Sequence, residues 1–147
     1  MTQITQTGAD GSGERDGSVR RGSGDVGGEL SGSALGVFYD VYNTLGHGFL
    51  ESVYKRALAK KLAKAGLATA FEVPIEVVFE GEVVGFFRGD VVVEKRLLLE
   101  VKACPRILPE HEAQLVNYLK ATGIELGLIL NFGPKPTFRR MVFTNRG

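Results

Sequence analysis

The sequence predicts a single α/β domain in which a mixed β-sheet is flanked by helices, and two observations lead to that class. Segments of helical and strand periodicity follow one another in the order helix, helix, three strands, helix, strand, strand. The 147-residue length, with 44% hydrophobic and 24% charged residues, is that of one ordinary globular domain.

Residues 1–32 are expected to form a disordered tail that precedes a folded domain at 33–147. The tail is rich in Gly, Ser, Asp and Arg and has almost no large apolar side chains. Such a segment cannot bury enough surface to offset the entropy lost on ordering. It also lacks the apolar centre of a secretory signal.

Two helices are predicted to open the domain. Ser33 is the expected N-cap of the first, whose apolar residues recur at helical spacing: Leu35, Phe38, Val41, Tyr42 and Leu45. The second is expected from about Leu50 to Ala65, before Gly66. Its apolar stripe is Leu50, Val53, Tyr54, Ala57, Leu58 and Leu62.

Glu51 falls within the arc of that stripe and has two interpretations. A carboxylate on the buried side of a helix requires a partner or a metal. Alternatively, Glu51 is an acidic residue that the helix dipole favours in a first turn.

A meander of strands is predicted next. Residues 71–79 form a strand that Pro74 marks as an edge or a strand start, and Glu80-Gly81 is a turn. The following strand, 83–87, is expected to continue to Asp90.

Residues 88–103 predict a β-hairpin that places charged groups together. The apolar runs 91–93 and 97–99 flank a three-residue loop, Glu94-Lys95-Arg96. A loop of this length pairs Val93 with Leu97, so that Asp90 falls directly opposite Glu100 on one face of the hairpin. Because side chains alternate between faces along a strand, Lys102 lies on the same face as Glu100. The other face is uniformly apolar, as expected of a core: Val91, Val93, Leu97, Leu99 and Val101.

Two opposed carboxylates weaken strand pairing unless something neutralises them. Magnesium binds through one or two carboxylates with waters and substrate phosphates, and a nearby lysine can stabilise phosphate charge. The alternative is a solvated face on a half-exposed hairpin. The hairpin alone leaves both interpretations open.

The third helix is predicted from Pro109 or Glu110 to Thr122 and is followed by strands at 126–132 and 137–144. His111, Gln114 and Tyr118 share one of its faces. They are ordinary rim residues unless a cleft lies beside them.

The net charge of +1 is mild evidence against a strong general nucleic-acid binder. Candidates for a local basic patch that binds nucleic acid are Lys55, Arg56, Lys60, Lys61 and Lys64 on the second helix, and Arg139-Arg140. Each cluster is also explicable as a solvated surface. One cysteine, Cys104, builds neither a disulfide framework nor a thiolate zinc site, and a cytoplasmic location is expected. No apolar run reaches membrane-spanning length, so no membrane partner is expected.

Three motifs together resemble a known family. Asp90 followed by Glu100-Val101-Lys102 is similar to the core of the PD-(D/E)XK nuclease superfamily. Residues 48–54, GFLESVY, match the signature of its GxxExxY branch, and Gln114 with Tyr118 resembles the QxxxY motif of recombination-type exonucleases. The resemblance spans Leu35 to Thr144. Gly89 stands where the superfamily often has proline.

The resemblance implies a restriction-endonuclease-like core and a nuclease that acts on nucleic acid, with DNA the favoured substrate. It implies that Asp90, Glu100 and the Val101 carbonyl hold Mg²⁺ or Mn²⁺ and that Lys102 orients the attacking water. Glu51 would assist at the metal site, and Gln114 and Tyr118 would contact phosphate or water. The alternative is a non-catalytic module of the same fold that binds protein or nucleic acid. A homodimer is compatible with the sequence, which does not determine the oligomeric state.

Overall fold

A six-stranded mixed sheet and three helices make up the computed structural model, which describes residues 2–9 and 27–145. The strands are β1 Thr2–Ala9, β2 Thr69–Phe79, β3 Glu82–Val93, β4 Leu97–Lys102, β5 Leu126–Phe132 and β6 Pro136–Asn145. The helices are α1 Gly28–Leu45, α2 Glu51–Lys64 and α3 Pro109–Thr122. The strand order is β1-β6-β5-β4-β3-β2, and only the β4–β5 pair is parallel. The predicted α/β class is confirmed.

The helices cover opposite faces of the sheet. Helices α1 and α2 pack on the face that includes Leu97, Leu99 and Val101 of β4. Leu98 packs on the other face, with Leu115 and Leu119 of α3. Alternation along β4 therefore directs Glu100 to the α3 side.

The hairpin forms with the predicted loop, but its ladder stops one pair short of Asp90 and Glu100, so these two residues are not the cross-strand pair that was predicted. Val93 pairs with Leu97 and Val91 with Leu99, so the loop has three residues. Glu94 and Lys95 have φ angles of 54° and 56°, which reverse the chain in the left-handed region. Strand β3 runs unbroken from Glu82, so the strand predicted at 83–87 does continue past Asp90.

The start of the folded part differs from the prediction. Helix α1 begins at Gly28, with Gly27 as its N-cap, so Ser33 is not the cap. Leu30 and Ser31 are buried, which anchors this first turn. Residues 2–9 form β1, paired with β6 from Thr2–Asn145 to Ala9–Phe138. Backbone pairing to a sheet edge does not require the apolar side chains whose scarcity suggested a tail. The rest of that predicted tail, residues 10–26, lies outside the described residues.

The apolar stripe of α2 is shorter than predicted. Tyr54, Leu58 and Leu62 are fully buried, whereas Leu50 is 76% exposed and Val53 is also exposed. The buried residues of α2 therefore form a single row in which each residue lies four positions after the last. No helix in the described part of the chain is both long and apolar enough to cross a membrane.

Candidate active site

The strands β3 and β4 separate where the acidic residues lie. Their ladder ends at the Val91–Leu99 pair. Beyond it, Asp90 Oδ2 accepts a hydrogen bond of 2.7 Å from the backbone N–H of Val101. The Asp90 carboxylate thus takes the place of the backbone carbonyl that would accept this hydrogen bond in a continuous ladder. It therefore lies between the two strands.

Glu100 is buried beside Asp90, with 7% of its surface exposed. Burial, followed by the negative charge of Asp90, raises the pKa of Glu100 to about 8, while the charge of Lys102 acts in the opposite direction. Glu100 is therefore largely protonated at neutral pH. Its Oε2 has no hydrogen-bond partner among the described residues.

Lys55 of α2 places a positive charge beside the Asp90–Glu100 pair. Lys55 Nζ lies 3.3 Å from Asp90 Oδ1 and 3.3 Å from Glu72 Oε2, and Glu72 also faces Arg88 at 3.7 Å. Burial alone would lower the pKa of Lys55, but the Asp90 charge and the hydrogen bonds to Glu72 and Asp90 raise it. Sequence reasoning placed Lys55 in a basic cluster of α2 and missed this contact, which no local pattern signals because the two residues are 35 positions apart.

The segment 48–54 positions the start of α2. Gly48 has a φ of 112°, which a side chain would strain. The Tyr54 hydroxyl donates to the Gly46 carbonyl at 2.6 Å and accepts from the Phe49 N–H at 3.2 Å. Its ring stacks on Phe132 at 4.1 Å. Tyr54 therefore ties the glycine link to the core and sets where the helix begins.

Glu51 is the first residue of α2 and is exposed, so its predicted place on the buried arc is wrong. The buried ridge begins three residues later, at Tyr54. The Glu51 charge acts to raise the pKa values of Cys104 and His111, on which Lys102 acts in the opposite sense. Glu51 and Lys102 therefore lie within electrostatic range of the same two groups.

Helix α3 presents three polar residues with different environments. The Tyr118 ring stacks on Phe87 at 3.6 Å; burial, then the charges of Glu100 and Asp90, raises its pKa. Gln114 is exposed and, with Tyr118, lines a groove of about 770 Å³ between α3 and the β2–β3 hairpin.

His111 has a structural contact. Its Nδ1 accepts the backbone N–H of Leu108 at 3.0 Å, at the start of α3. Burial, then the charge of Lys102, lowers its pKa. This contact supports the helix terminus and orients the ring.

The acidic pair suits a hard cation that also takes water and substrate ligands. In the described ranges no group of three or more His, Cys, Asp or Glu side chains is arranged to hold a metal. Magnesium, however, binds through as few as one or two carboxylates and retains several waters. Asp90 and Glu100, with the unpartnered Oε2, supply such a donor set.

Comparisons with known proteins place the chain in a family. No curated protein matches the sequence significantly. A solved structure described as the crystal structure of SSO0001 is similar over 60% of this chain, at 20% identity and a TM-score of 0.47. The match covers 48% of that protein, so this chain spans about half its length. The family model of the PD-(D/E)XK nuclease superfamily matches residues 28–141. The matched residues include the three described helices and the strands β3 and β4, which carry Asp90 and Glu100. The chain therefore belongs to the PD-(D/E)XK nuclease superfamily.

Proposed function

We propose that this protein is a metal-dependent nuclease of the GxxExxY branch that hydrolyses phosphodiester bonds, with DNA as its substrate. The observation that carries the proposal is the carboxyl pair of half-buried Asp90 and buried Glu100, with Lys102 close enough to Glu100 to lower its pKa electrostatically. A buried carboxyl with an unpartnered oxygen is costly to maintain for stability alone. A role as a cation ligand would explain why the protein buries the Glu100 carboxyl.

In this proposal Asp90, Glu100 and the Val101 carbonyl would hold Mg²⁺ or Mn²⁺. When bound, the ion would act as a Lewis acid and make water a stronger nucleophile. Glu100 has to release its proton before both carboxylates can serve as ligands. The backbone N–H of Val101 keeps Asp90 in place by holding Oδ2.

The remaining residues act on the substrate and the attacking water. The Lys102 ammonium would orient the water and stabilise charge that develops on phosphate. Glu51, at the exposed start of α2, would help to position that water from the opposite helix layer. Gln114 and Tyr118 would contact the phosphate backbone from the groove beside α3.

The competing function is a non-catalytic module of the same fold. Lys55 favours this alternative, because its ammonium already neutralises Asp90 at 3.3 Å. The near-neutral net charge also offers a phosphate backbone little general attraction.

A cleavage assay tests the proposal. Purified parent and Lys102→Ala proteins are incubated with labelled single- and double-stranded DNA, and with RNA, with and without magnesium or manganese. We expect magnesium-dependent cleavage of DNA that falls by about 10²–10³ in the variant, the usual effect of removing one charge-stabilising group. Metal binding, followed by calorimetry, should persist because lysine is not a ligand.

Two outcomes would contradict the proposal. Equal cleavage by parent and variant would identify a contaminating nuclease. Absence of cleavage on every substrate, with metal binding intact, would favour the binding module.

A cytoplasmic location also remains part of the proposal, supported by the free thiol of Cys104.

A further inference from the structure

The chain that follows β4 is held by side-chain contacts from the turn between β5 and β6. The parallel β4–β5 ladder ends at the pair Lys102–Asn131. Beyond this pair, Asn131 Oδ1 accepts the backbone N–H of Cys104 at 3.0 Å, and its Nδ2 donates to the Cys104 carbonyl at 3.0 Å. We propose that Asn131 and Gly133 are positioning residues for Lys102. Under the proposed function, on which this role rests, Lys102 orients the attacking water.

The Asn131 amide is fully buried, and all of its polar groups are engaged. Besides its contacts with Cys104, Nδ2 donates to Thr137 Oγ1 at 3.3 Å. A buried amide is costly unless its donors and its acceptor are paired, and here each has a partner. Because two of the three hydrogen bonds go to the main chain of Cys104, the amide holds that residue through both its N–H and its carbonyl.

Asn131 also lies beside Lys102 on the same face of the sheet. The two residues are partners in the β4–β5 register. Leu98 and Ile129, each an even number of residues earlier on the same two strands, pack on the α3 side of the sheet. Alternation along each strand therefore directs Lys102 and Asn131 to that side as well. Asn131 is thus the neighbour of Lys102 on the β5 side.

Gly133 lets the turn approach Cys104 closely. A Cβ atom at Gly133 would clash with the Cys104 carbonyl oxygen and lie 3.0 Å from Asn131 Nδ2. Because the first obstacle is a backbone atom, rotation of a side chain cannot relieve the clash. From α1, the Tyr42 hydroxyl donates to the carbonyl oxygens of Gly133 and Pro134, at 2.7 and 2.9 Å. The turn is therefore fixed from the other side of the sheet while it contacts Cys104.

These contacts define where the Lys102 ammonium can reach. Only Ala103 separates Lys102 from Cys104. A lysine ammonium is carried on a flexible four-carbon stem, so the volume that it can sample depends on the position of its Cα atom. The ladder holds the backbone up to Lys102, and the turn holds it again at Cys104. Since a misplacement of about 1 Å can cost about 10² in rate, changes in the turn should weaken catalysis through Lys102 without removing a metal ligand.

NMR of the full chain with ¹³C-labelled lysine tests this role without a cleavage assay. The Lys102 signal is identified by its loss in Lys102→Ala. In Asn131→Ala and Gly133→Ala this signal should move towards the shifts of exposed lysines. In Asn131→Ala the Cys104 amide should also exchange with solvent about tenfold faster or more. Gly36→Ala is the matched control for Gly133→Ala, because nothing lies within 4 Å of an added Cβ at Gly36.

Tyr42→Phe supplies a milder perturbation of the same turn. It removes only the hydroxyl that holds Gly133 and Pro134, and it should shift the Lys102 signal in the same direction as the other variants. Urea unfolding verifies that each variant is folded, and Tyr42→Phe decides the question if the two turn variants are not. A Lys102 signal that stays unchanged in the folded variants overturns the positioning role.

Kinetics provide a second readout that a purely structural role would not reproduce. With magnesium and DNA, Asn131→Ala should lower kcat by about 10–10²-fold and leave KM and magnesium affinity within about twofold of the parent. The same change made in Lys102→Ala should cost nothing further, and an additive loss in the double variant would overturn an action through Lys102. A parent that cleaves no substrate contradicts the proposed function, while the NMR result still decides whether the turn positions Lys102.

Discussion

Replacing Glu100 by glutamine is expected to remove most of the pH dependence of stability between pH 5 and 8. Glutamine keeps the shape of the protonated side chain and can donate to the Asp90 carboxylate, but it cannot ionise. The parent carries a carboxyl whose pKa is 4.5 when unperturbed and about 8 in the folded protein. Between these values the folded state binds a proton that the unfolded state has lost. Stability is therefore full below pH 4.5 and declines as the pH rises towards 8.

The magnitude follows from the size of the pKa difference. Each pH unit within this window costs the parent about 1.4 kcal/mol. From pH 5 to pH 7.5 the accumulated loss of unfolding free energy is roughly 3 kcal/mol, a large part of the stability of a small domain. Glu100→Gln lacks this contribution. Its unfolding free energy relative to the parent should therefore rise by roughly 3 kcal/mol from pH 5 to pH 7.5.

Urea unfolding at fixed ionic strength, in the presence of a chelator, measures the difference at several pH values. Glu82→Gln, which removes an exposed carboxylate at the start of β3, is the matched control and should follow the parent profile. Saturating magnesium should stabilise the parent at pH 8 but not Glu100→Gln, which lacks the charge of one proposed ligand. Parallel profiles for parent and Glu100→Gln would refute the assignment of a buried, proton-binding Glu100.

Three further predictions concern Lys55, Asp90 and Tyr54. Lys55→Met should lower stability in the absence of metal, because Asp90 loses its ion pair, yet raise magnesium affinity roughly tenfold by removing a competing charge; calorimetry beside the exposed control Lys64→Met measures both, and unchanged or weaker affinity would contradict it. Asp90→Asn should abolish stabilisation by magnesium in a thermal-shift assay, and a persisting shift would place the metal elsewhere. Tyr54→Phe should cost about 1–3 kcal/mol in urea unfolding, because the Gly46 carbonyl loses its buried donor; a change within experimental error would show that water replaces the hydroxyl.

The local patterns in the sequence were sufficient to predict the hairpin and its faces. A loop of odd length between two apolar runs fixes which side chains share a face, and the register from Val91–Leu99 to Val93–Leu97 follows that rule. The tail prediction rested on side-chain composition, whereas β1 pairs through its backbone. Glu51 was misplaced because helical periodicity does not show where a helix projects beyond the core. Leu50, beside it, is similarly exposed.

Lys55 could not be assigned from sequence, because its contact with Asp90 joins residues 35 positions apart through the packing of α2 on the sheet. That contact changes how the site is understood. The Asp90–Glu100 pair can be neutralised by the Lys55 ammonium, by a proton on Glu100 or by a divalent cation, and each weakens the others electrostatically. Glu72 remains 3.3 Å from Lys55, so the ammonium keeps a partner when a cation takes Asp90. In the proposed function, metal binding at this site would be an exchange of positive charges, and the metal affinity should rise with pH until Glu100 has lost its proton.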